Sequence, residues 1–521
     1  MRRPRLSKCR CVPVAVKALE PISGKTIATA ENDAAGKDSL PTAVARLAAS
    51  LRKDLGDTAP EDVKLAQAET ISTSSLEAFR SYGQAQELRS SGKWEEAIGY
   101  YTDALRLDPN LGRAYSGIAA AYANLGQRDE AQKYYDLALA HIDRMTDREK
   151  YRTRGGYYLF RGSTDKATDE FKALVAQYPG DTAGRNNLAV SLFQQRDLAG
   201  ALVQGREFLR MFPRNVSALN NVALYAMYLG DFETTSREAA RALELNPVFV
   251  KAYVANAMAA LAQDRIQDAV SSYEKLKPIG AQGSALATAG LADIALYEGR
   301  IDDALSLLDA GIASDLANNQ RSAASDKLAT MATIYSEIKD SRRAADTAQR
   351  AAATGNEDSV TFRVGRAYIE SGQRKRAIPL ITDLSSKLQA DARAYAKILE
   401  GETLLAEKKP REAVEKFRAA QAQADTWIGH LDMGRAYLEE GAFAEASSEF
   451  DICLKRRGEA TAVFLDDRPT YHLLPQVYYY LGRVQEGLKS PGAAQWYRTF
   501  LTIKQKADKD PLALDAKKRL N

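Results

Sequence analysis

The chain runs to 521 residues, 45% hydrophobic and 27% charged, the balance of a folded, water-soluble protein with room for several domains or one extended repeat array. Its 72 basic and 68 acidic residues leave +4, interspersed along helical stretches, which excludes nucleic-acid or anionic-membrane binding through a concentrated basic face. No apolar run reaches the roughly 18 residues of a membrane span, and Cys9, Cys11 and Cys453 neither staple a fold of this length nor stand at zinc spacing with a histidine.

In chain order, residues 1–11 begin Met1-Arg2-Arg3-Pro4-Arg5 and read as a disordered basic terminus in which Cys9 and Cys11 are an incidental pair. Pro13 and Lys17 interrupt the next apolar stretch, so no cleavable leader is expected. In residues 12–57, "CVPVAVKALEP" and "TIATAEND" alternate apolar and polar residues around Pro21-Ile22-Ser23-Gly24, a β-hairpin signal. "SLPTAVARLAASLRKDLGD" then puts Leu40, Val44, Leu47 and Leu51 on one helical face, with Ser39 as cap and Gly56 as terminator. Two strands and one helix are too few for an independent core. The segment reads as the remnant of an α/β domain, joined to a linker at 58–75.

Val14-Ala15-Val16-Lys17 has the form of the strand that carries the ATP-gripping lysine of protein kinases. The other parts are missing. Residues 1–11 contain no glycine, none of His141, His430 and His472 precedes Arg-Asp, and Asp231-Phe232 is followed by Glu233. Ser23-Gly24-Lys25-Thr26 is half of a phosphate-binding loop, but Leu19 stands where its first glycine belongs. Lys17 is therefore expected to face solvent. No catalytic residue, metal ligand or cofactor is assigned, and the chain reads as non-enzymatic.

From residue 76 a period takes over. Pro179, Pro213 and Pro247 stand 34 residues apart, and Pro109 precedes Pro179 by two periods plus two. Each comes after a helical stretch that proline cannot continue. Aligned on them, a small residue recurs at Ala85, Ala119, Gly155, Ala189, Ala223, Ala257, Ala292, Ala332, Gly365, Gly401, Gly434 and Gly482. Twelve residues after each stands a second: Ala97, Ala131, Ala167, Ala201, Thr235, Ala269, Ala304, Ala344, Ala377, Ala413, Ala446 and Ala494. The offset holds while the spacing between units drifts, which marks a crossing of two helices whose backbones approach closely. A larger side chain there would overpack the crossing, at about 1–3 kcal/mol.

In the second unit, "AYSGIAAAYANLGQRDEAQKYYDLAL", Tyr115, Ile118, Ala119 and Tyr122 stripe one helix, Gly126 ends it, and Ala131, Tyr135 and Ala138 stripe the next. This pattern resembles the tetratricopeptide repeat over residues 76–507, closely in the second and fifth units and more loosely after Ala285. The resemblance implies an all-α, right-handed superhelical solenoid of about twelve helix–turn–helix repeats, preceded by the small partial α/β segment, with a concave groove lined by first helices. Units from 285 to 425 are expected to be the locally less stable ones. The 48 residues from Gly434 to Gly482 exceed a repeat, so the segment near 457–474, around "FLDDRPTYHLLP", reads as an inserted ordered loop. Asp466 and Asp467 are expected there in a solvated turn, and residues 508–521 as a C-terminal capping tail.

The hairpin, the "ARLAASLRKDLGD" helix, the stretch "TISTSSLEAFRSYGQAQELRSSGKWEEAIGYY" and "FLDDRPTYHLLPQVYYYLGR" together resemble bacterial receptor-like serine/threonine kinases with a TolB-like domain and a repeat array. The resemblance covers only the part of those proteins beyond their membrane helix; the kinase domain, that helix and most of the α/β domain have no counterpart here. It implies, as an alternative, the sensory or partner-binding part of a truncated or split receptor kinase, which would place the chain outside the cytoplasmic membrane. With no leader or membrane segment in evidence, a cytoplasmic location is expected otherwise.

The leading expectation is a scaffold or adaptor binding a protein or peptide in the groove, with no nucleic acid, membrane span or small-molecule cofactor. An RNA-reading helical repeat is disfavoured by the near-neutral charge. The candidate peptide-binding residues are Asn186, Asn187, Asn220 and Asn221, with Asn187 and Asn221 one period apart as a ladder for peptide backbone, and Lys251 for an acidic group. The two-carboxylate clamp of some related repeats is not expected, since Val190 and Ala255 stand where it needs an asparagine and a basic residue. Tyr101, Tyr122, Tyr135, Tyr158, Tyr368 and Tyr437 are expected in the repeat core.

Overall fold

The computed structural model describes residues 12–19, 25–36, 39–55, 72, 73, 75–90, 93–125 and 127–520. Cys9, Cys11, the hairpin turn at Pro21–Gly24, Gly56, Gly126 and most of the 58–75 linker lie outside them. By packing, the chain divides into two compact units, Met1–Ser191 and Leu192–Asn521, and the division falls inside the helix Thr182–Gln194.

The alternation read from the sequence does form a hairpin. Strands β1 (Val12–Leu19) and β2 (Thr26–Ala34) pair antiparallel, with Val12 opposite Ala34 and Val16 opposite Ala30. The helix Leu40–Asp54 packs mainly on β2 and buries its own Ala43, Leu47 and Ala49. Lys17 is exposed on the other face. Two details differ from expectation. Val44 is 50% exposed, because a two-stranded ribbon covers only a narrow stripe of the helix and leaves the adjacent position in water. Ser39 does not cap the helix: its hydroxyl donates to the Gly36 carbonyl (2.8 Å) and accepts from the Gly36 N–H (3.0 Å), closing a turn in front of it.

Twelve helix–turn–helix pairs come next, from Leu76–Ser90 with Trp94–Leu107 to Pro475–Gly487 with Ala493–Ile503, and a last helix, Pro511–Leu520. All the paired small positions are buried except Ala494, which is half-buried in the final pair. Thr235 shows how close the crossing is: its Oγ1 donates to the Ala223 carbonyl at 3.1 Å. Where the first position is glycine, the space goes to a larger side chain, Leu399 at Gly365 and an aromatic ring at the others. A Cβ on Gly155, Gly401 or Gly434 would stand 2.6 Å from the ring of Phe171, Phe417 or Phe450, sixteen residues on.

From the third pair on, the residue seven positions after the first small position, in the turn inside the pair, takes a left-handed backbone. Gly230 (φ 80) and Gly441 (φ 85) meet it freely. Arg196, Asp264, Lys339, Lys408 and Lys489 adopt the same conformation at φ 55–64 despite their side chains. The helices Thr164–Gln177, Leu198–Met211 and Phe232–Leu245 each end two residues before the periodic prolines. The freed Pro109 and Pro247 carbonyls accept from Tyr115 and Tyr253 hydroxyls at 3.3 and 3.0 Å.

In the second unit the chain beyond Ile503 returns to the turn between the helices Gly280–Tyr297 and Ile301–Ala317. Lys504 Nζ donates to the Leu296 carbonyl (2.8 Å), Lys506 pairs with Glu298 (3.6 Å) and Lys509 with Asp302 (2.5 Å). Gly299 (φ 85) has the Ala507 backbone against it, leaving no room for a Cβ.

Candidate functional site

Residues 457–474 do not make a repeat; they pack as an inner loop of the second unit. Two single 3-10 turns, Glu459–Ala462 and Tyr471–Leu473, flank it. Thr470 closes its neck. Its N–H donates to the Thr461 carbonyl (3.0 Å), and its Oγ1 donates to the Ala460 carbonyl (3.0 Å) and accepts from the Val463 N–H (2.9 Å). The neck is core, with Ala460, Ala462 and Val463 at 0% exposure.

This loop touches the first helices of six successive pairs. Gly458 lies on the end of Val216–Tyr228, where a Cβ would stand 2.3 Å from the Met227 carbonyl. Lys251, opening Val250–Leu261, pairs with Asp467 at 2.9 Å. Asp293, buried in Gly280–Tyr297, accepts from the Tyr471 and His472 N–H groups (3.2 Å each) and lies 2.6 Å from His472 Nδ1. Arg468 reaches Asp326 (3.2 Å) and Ser322 (2.8 Å) on Arg321–Glu337. Phe464 lies edge-on between Phe362 of Asp358–Glu370 and Tyr395 of Ala390–Ala406, at ring distances of 5.8 and 5.5 Å, with the Arg363 guanidinium 5.4 Å over its ring. First helices therefore supply the inner face of this unit, as the repeat pattern implied.

The charges of the loop are correspondingly perturbed. Asp466 and Asp467 are half-buried, which corrects the solvated turn expected for them: the surplus residues fold inward because the repeats leave an unfilled trough there. Burial pushes the Asp466 carboxyl up to about 6 against the pull of Arg468, with the Asp326 charge adding to the rise. Burial pushes Asp326 up as well, yet Arg363 and then Arg468 outweigh it and hold that carboxyl at about 2. Further along the inner face Arg435 binds both Glu402 (3.0 Å) and Asp432 (2.8 Å), and Arg366 pairs with Asp432. Arg366, Glu402 and Arg435 each stand one residue after the small residue of their pair, so opposite charges meet between successive helices.

The expected binding residues fall in different settings. Asn186 and Asn187 belong to the first unit; both are half-buried, and Asn186 Nδ2 donates to Asn187 Oδ1 at 3.3 Å. Asn220, Asn221 and Lys251 belong to the second. Asn220 is 2% exposed, with Oδ1 buried and no protein donor, and Asn221 is half-buried. Lys251 is bound by Asp467 of its own chain. Arg363 stands two residues before Gly365 as Asn221 stands two before Ala223, so the ladder position is a loop contact in the ninth pair. The pairing of Lys251 with Asp467 joins residues 216 positions apart, and the surplus length after Gly434 was the only hint of it in the sequence.

The first unit also holds arginines in ion pairs and hydrogen bonds between helices. Arg148 and Arg152 both bind the buried Asp181, at 2.6 and 2.5 Å, and Arg113 donates to the hydroxyls of Ser116 and Thr153 at 3.1 Å. Ser72, just before the array, donates its N–H to Glu149 (3.0 Å), whose carboxylate also completes the capping box with Thr146. Among the described residues no group of His, Cys, Asp and Glu is placed to hold a metal ion, and no helix is long and apolar enough to cross a membrane.

Stacked helical pairs with paired small residues at each crossing define an α-helical repeat protein, and comparison with known families specifies the repeat. Tetratricopeptide-repeat models match residues 88–144, 153–216 and 221–284; these segments are tetratricopeptide repeats, and the matches stop where the pattern loosens. Among solved structures, a tetratricopeptide repeat protein from Parabacteroides merdae is 16% identical over 56% of this chain and 98% of its own, with a TM-score of 0.33. The type IV pilus biogenesis factor PilW is 20% identical over 38% and 92%, at 0.32. YrrB, described as having an unusual peptide-binding site, is 22% identical over 34% and 89%, at 0.23. A search of curated protein sequences returns no match.

Proposed function

We propose that this chain is a non-enzymatic scaffold that binds a protein or peptide segment along the inner face of its repeats. Tetratricopeptide repeats are in general protein-interaction scaffolds. One observation carries the reading: first helices of six successive pairs already hold an irregular polypeptide, the 457–474 loop, through ion pairs, backbone hydrogen bonds and an aromatic slot. A surface built to hold one extended segment has the chemistry to hold another. Of the residues singled out in the sequence, Asn186, Asn187 and Asn221 are half-buried and are proposed to meet the bound backbone, while Asn220 is buried and Lys251 is engaged by the loop.

The test is affinity co-purification from the native host, repeated with Asn187→Ala/Asn221→Ala. Loss of most of the captured partner is expected, and undiminished capture would remove those two residues from the site. A second reading, a partner-binding part of a receptor serine/threonine kinase system, is supported by the hairpin and its single covering helix. It predicts that a kinase is among the co-purified chains.

A further inference from the structure

The tip of the inner loop differs from its neck. Phe464–Pro469 are half-buried, whereas Ala460, Ala462 and Val463 are fully enclosed and Tyr471 is 3% exposed. The tip is also held in an unfavourable backbone: Leu465 (φ 53) and Asp467 (φ 62) both occupy the left-handed region, which a leucine side chain resists. Asp466, half-buried, feels the like charge of Asp326, and Arg468 of its own loop is its first counter-charge.

The receiving surface does not depend on the tip. Arg363 is fixed by its ion pair with Asp326 and by bonds to Thr330 Oγ1 (2.9 Å) and the Ser359 carbonyl (3.2 Å). Phe362 and Tyr395 rest on each other at 5.1 Å. Without Phe464–Arg468 these three side chains would still frame an aromatic slot under a guanidinium. Lys251, 50% exposed even when paired with Asp467, would be left without a carboxylate.

We propose that the loop tip is an intramolecular stand-in for a partner segment, displaced by a peptide that presents an aromatic ring and, three residues on, a carboxylate. The ring would enter the slot of Phe362, Tyr395 and Arg363, and a carboxylate would take Lys251, as Phe464 and Asp467 do now. The inference rests on the scaffold reading above and adds the chemistry of the ligand and the device that guards the site.

The probe is a fluorescent peptide copying residues 462–469, Ala-Val-Phe-Leu-Asp-Asp-Arg-Pro, titrated into the full chain by anisotropy. The Phe464→Ala/Asp467→Ala chain is expected to bind it at least tenfold more tightly than the intact chain, and to lose that gain when the peptide's Phe is replaced by Ala. A folded double variant that binds no better than the intact chain overturns the proposal. Hydrogen exchange on the unaltered chain provides an independent measure: the Asp466 and Asp467 amides should exchange at least a hundredfold faster than those of Val463 and Thr470. Equal protection would make the tip a fixed part of the core and likewise overturn it. If the peptide fails while a co-purified partner is still captured, this site falls and the scaffold reading stands.

Discussion

At the residue scale, the turn of each pair concentrates an avoidable cost. Lys339 (φ 64) and Lys408 (φ 60) hold the left-handed backbone that Gly230 and Gly441 adopt without a Cβ. Lys339→Gly and Lys408→Gly should each stabilise the second unit by about 1 kcal/mol, read as a rise in the urea midpoint. The sequence concealed this rule, because at half of the described turns the required residue is not glycine and only the backbone reveals the requirement. Asp326 acts in the other direction. Its carboxyl is held at about 2, below its usual value of 3.8, so its charged form is favoured by folding. The resulting stability, about 2 kcal/mol, is complete above pH 4 and is lost as pH falls from about 4 through 2. Asp326→Asn should flatten that part of a pH–stability curve measured by denaturant titration.

At the element scale, the twelve-residue offset was legible because it is imposed by a crossing that cannot relax, and Thr235 Oγ1 on the Ala223 carbonyl shows that crossing directly. What the offset did not disclose is why some first positions are glycine. Gly434 faces the Phe450 ring, with 2.6 Å left for a Cβ. Gly434→Ala should therefore destabilise by about 1–3 kcal/mol through overpacking, and a second change, Phe450→Leu, should recover part of it in a double-mutant cycle of denaturation midpoints. The N-terminal hairpin was equally legible from its period of two. The facing of its helix was not, since Val44 is displaced by the narrowness of the sheet beneath it. The inner loop was visible only as excess length. Its ion pairs with the first helices and turns of earlier pairs reach across 142 to 263 positions, Arg468 with Asp326 and Arg196 with Glu459 among them, and no local pattern encodes such distances.

At the scale of the whole molecule, stacked repeats contact only their neighbours, and their stability is a sum of local terms. The second unit departs from that rule. Arg196, in the turn of the fourth pair, grips Asp391 of the tenth with two bonds (3.0 and 2.9 Å) and reaches Glu459 of the loop (3.4 Å). Four of the loosely matching pairs between residues 285 and 425, expected from sequence to be the less stable ones, are joined by the loop through Asp293, Asp326, Phe362 and Tyr395. Arg196→Ala should cost the second unit about 3 kcal/mol by stranding partly buried carboxylates. Hydrogen exchange should then show the helices Val216–Tyr228 and Ala390–Ala406 opening at different denaturant concentrations, where in the unaltered chain they open together. The anchoring of Lys504, Lys506 and Ala507 on the Leu296–Gly299 turn has a consequence for how such a chain can vary. An open-ended stack tolerates the gain or loss of a 34-residue module almost anywhere, whereas here one module more or fewer between residues 300 and 500 would swing the far end away from its landing place. The number of pairs between that turn and its partner segment is consequently tied to this closure, and a chain with one module added there should lose the Lys504–Leu296 contact.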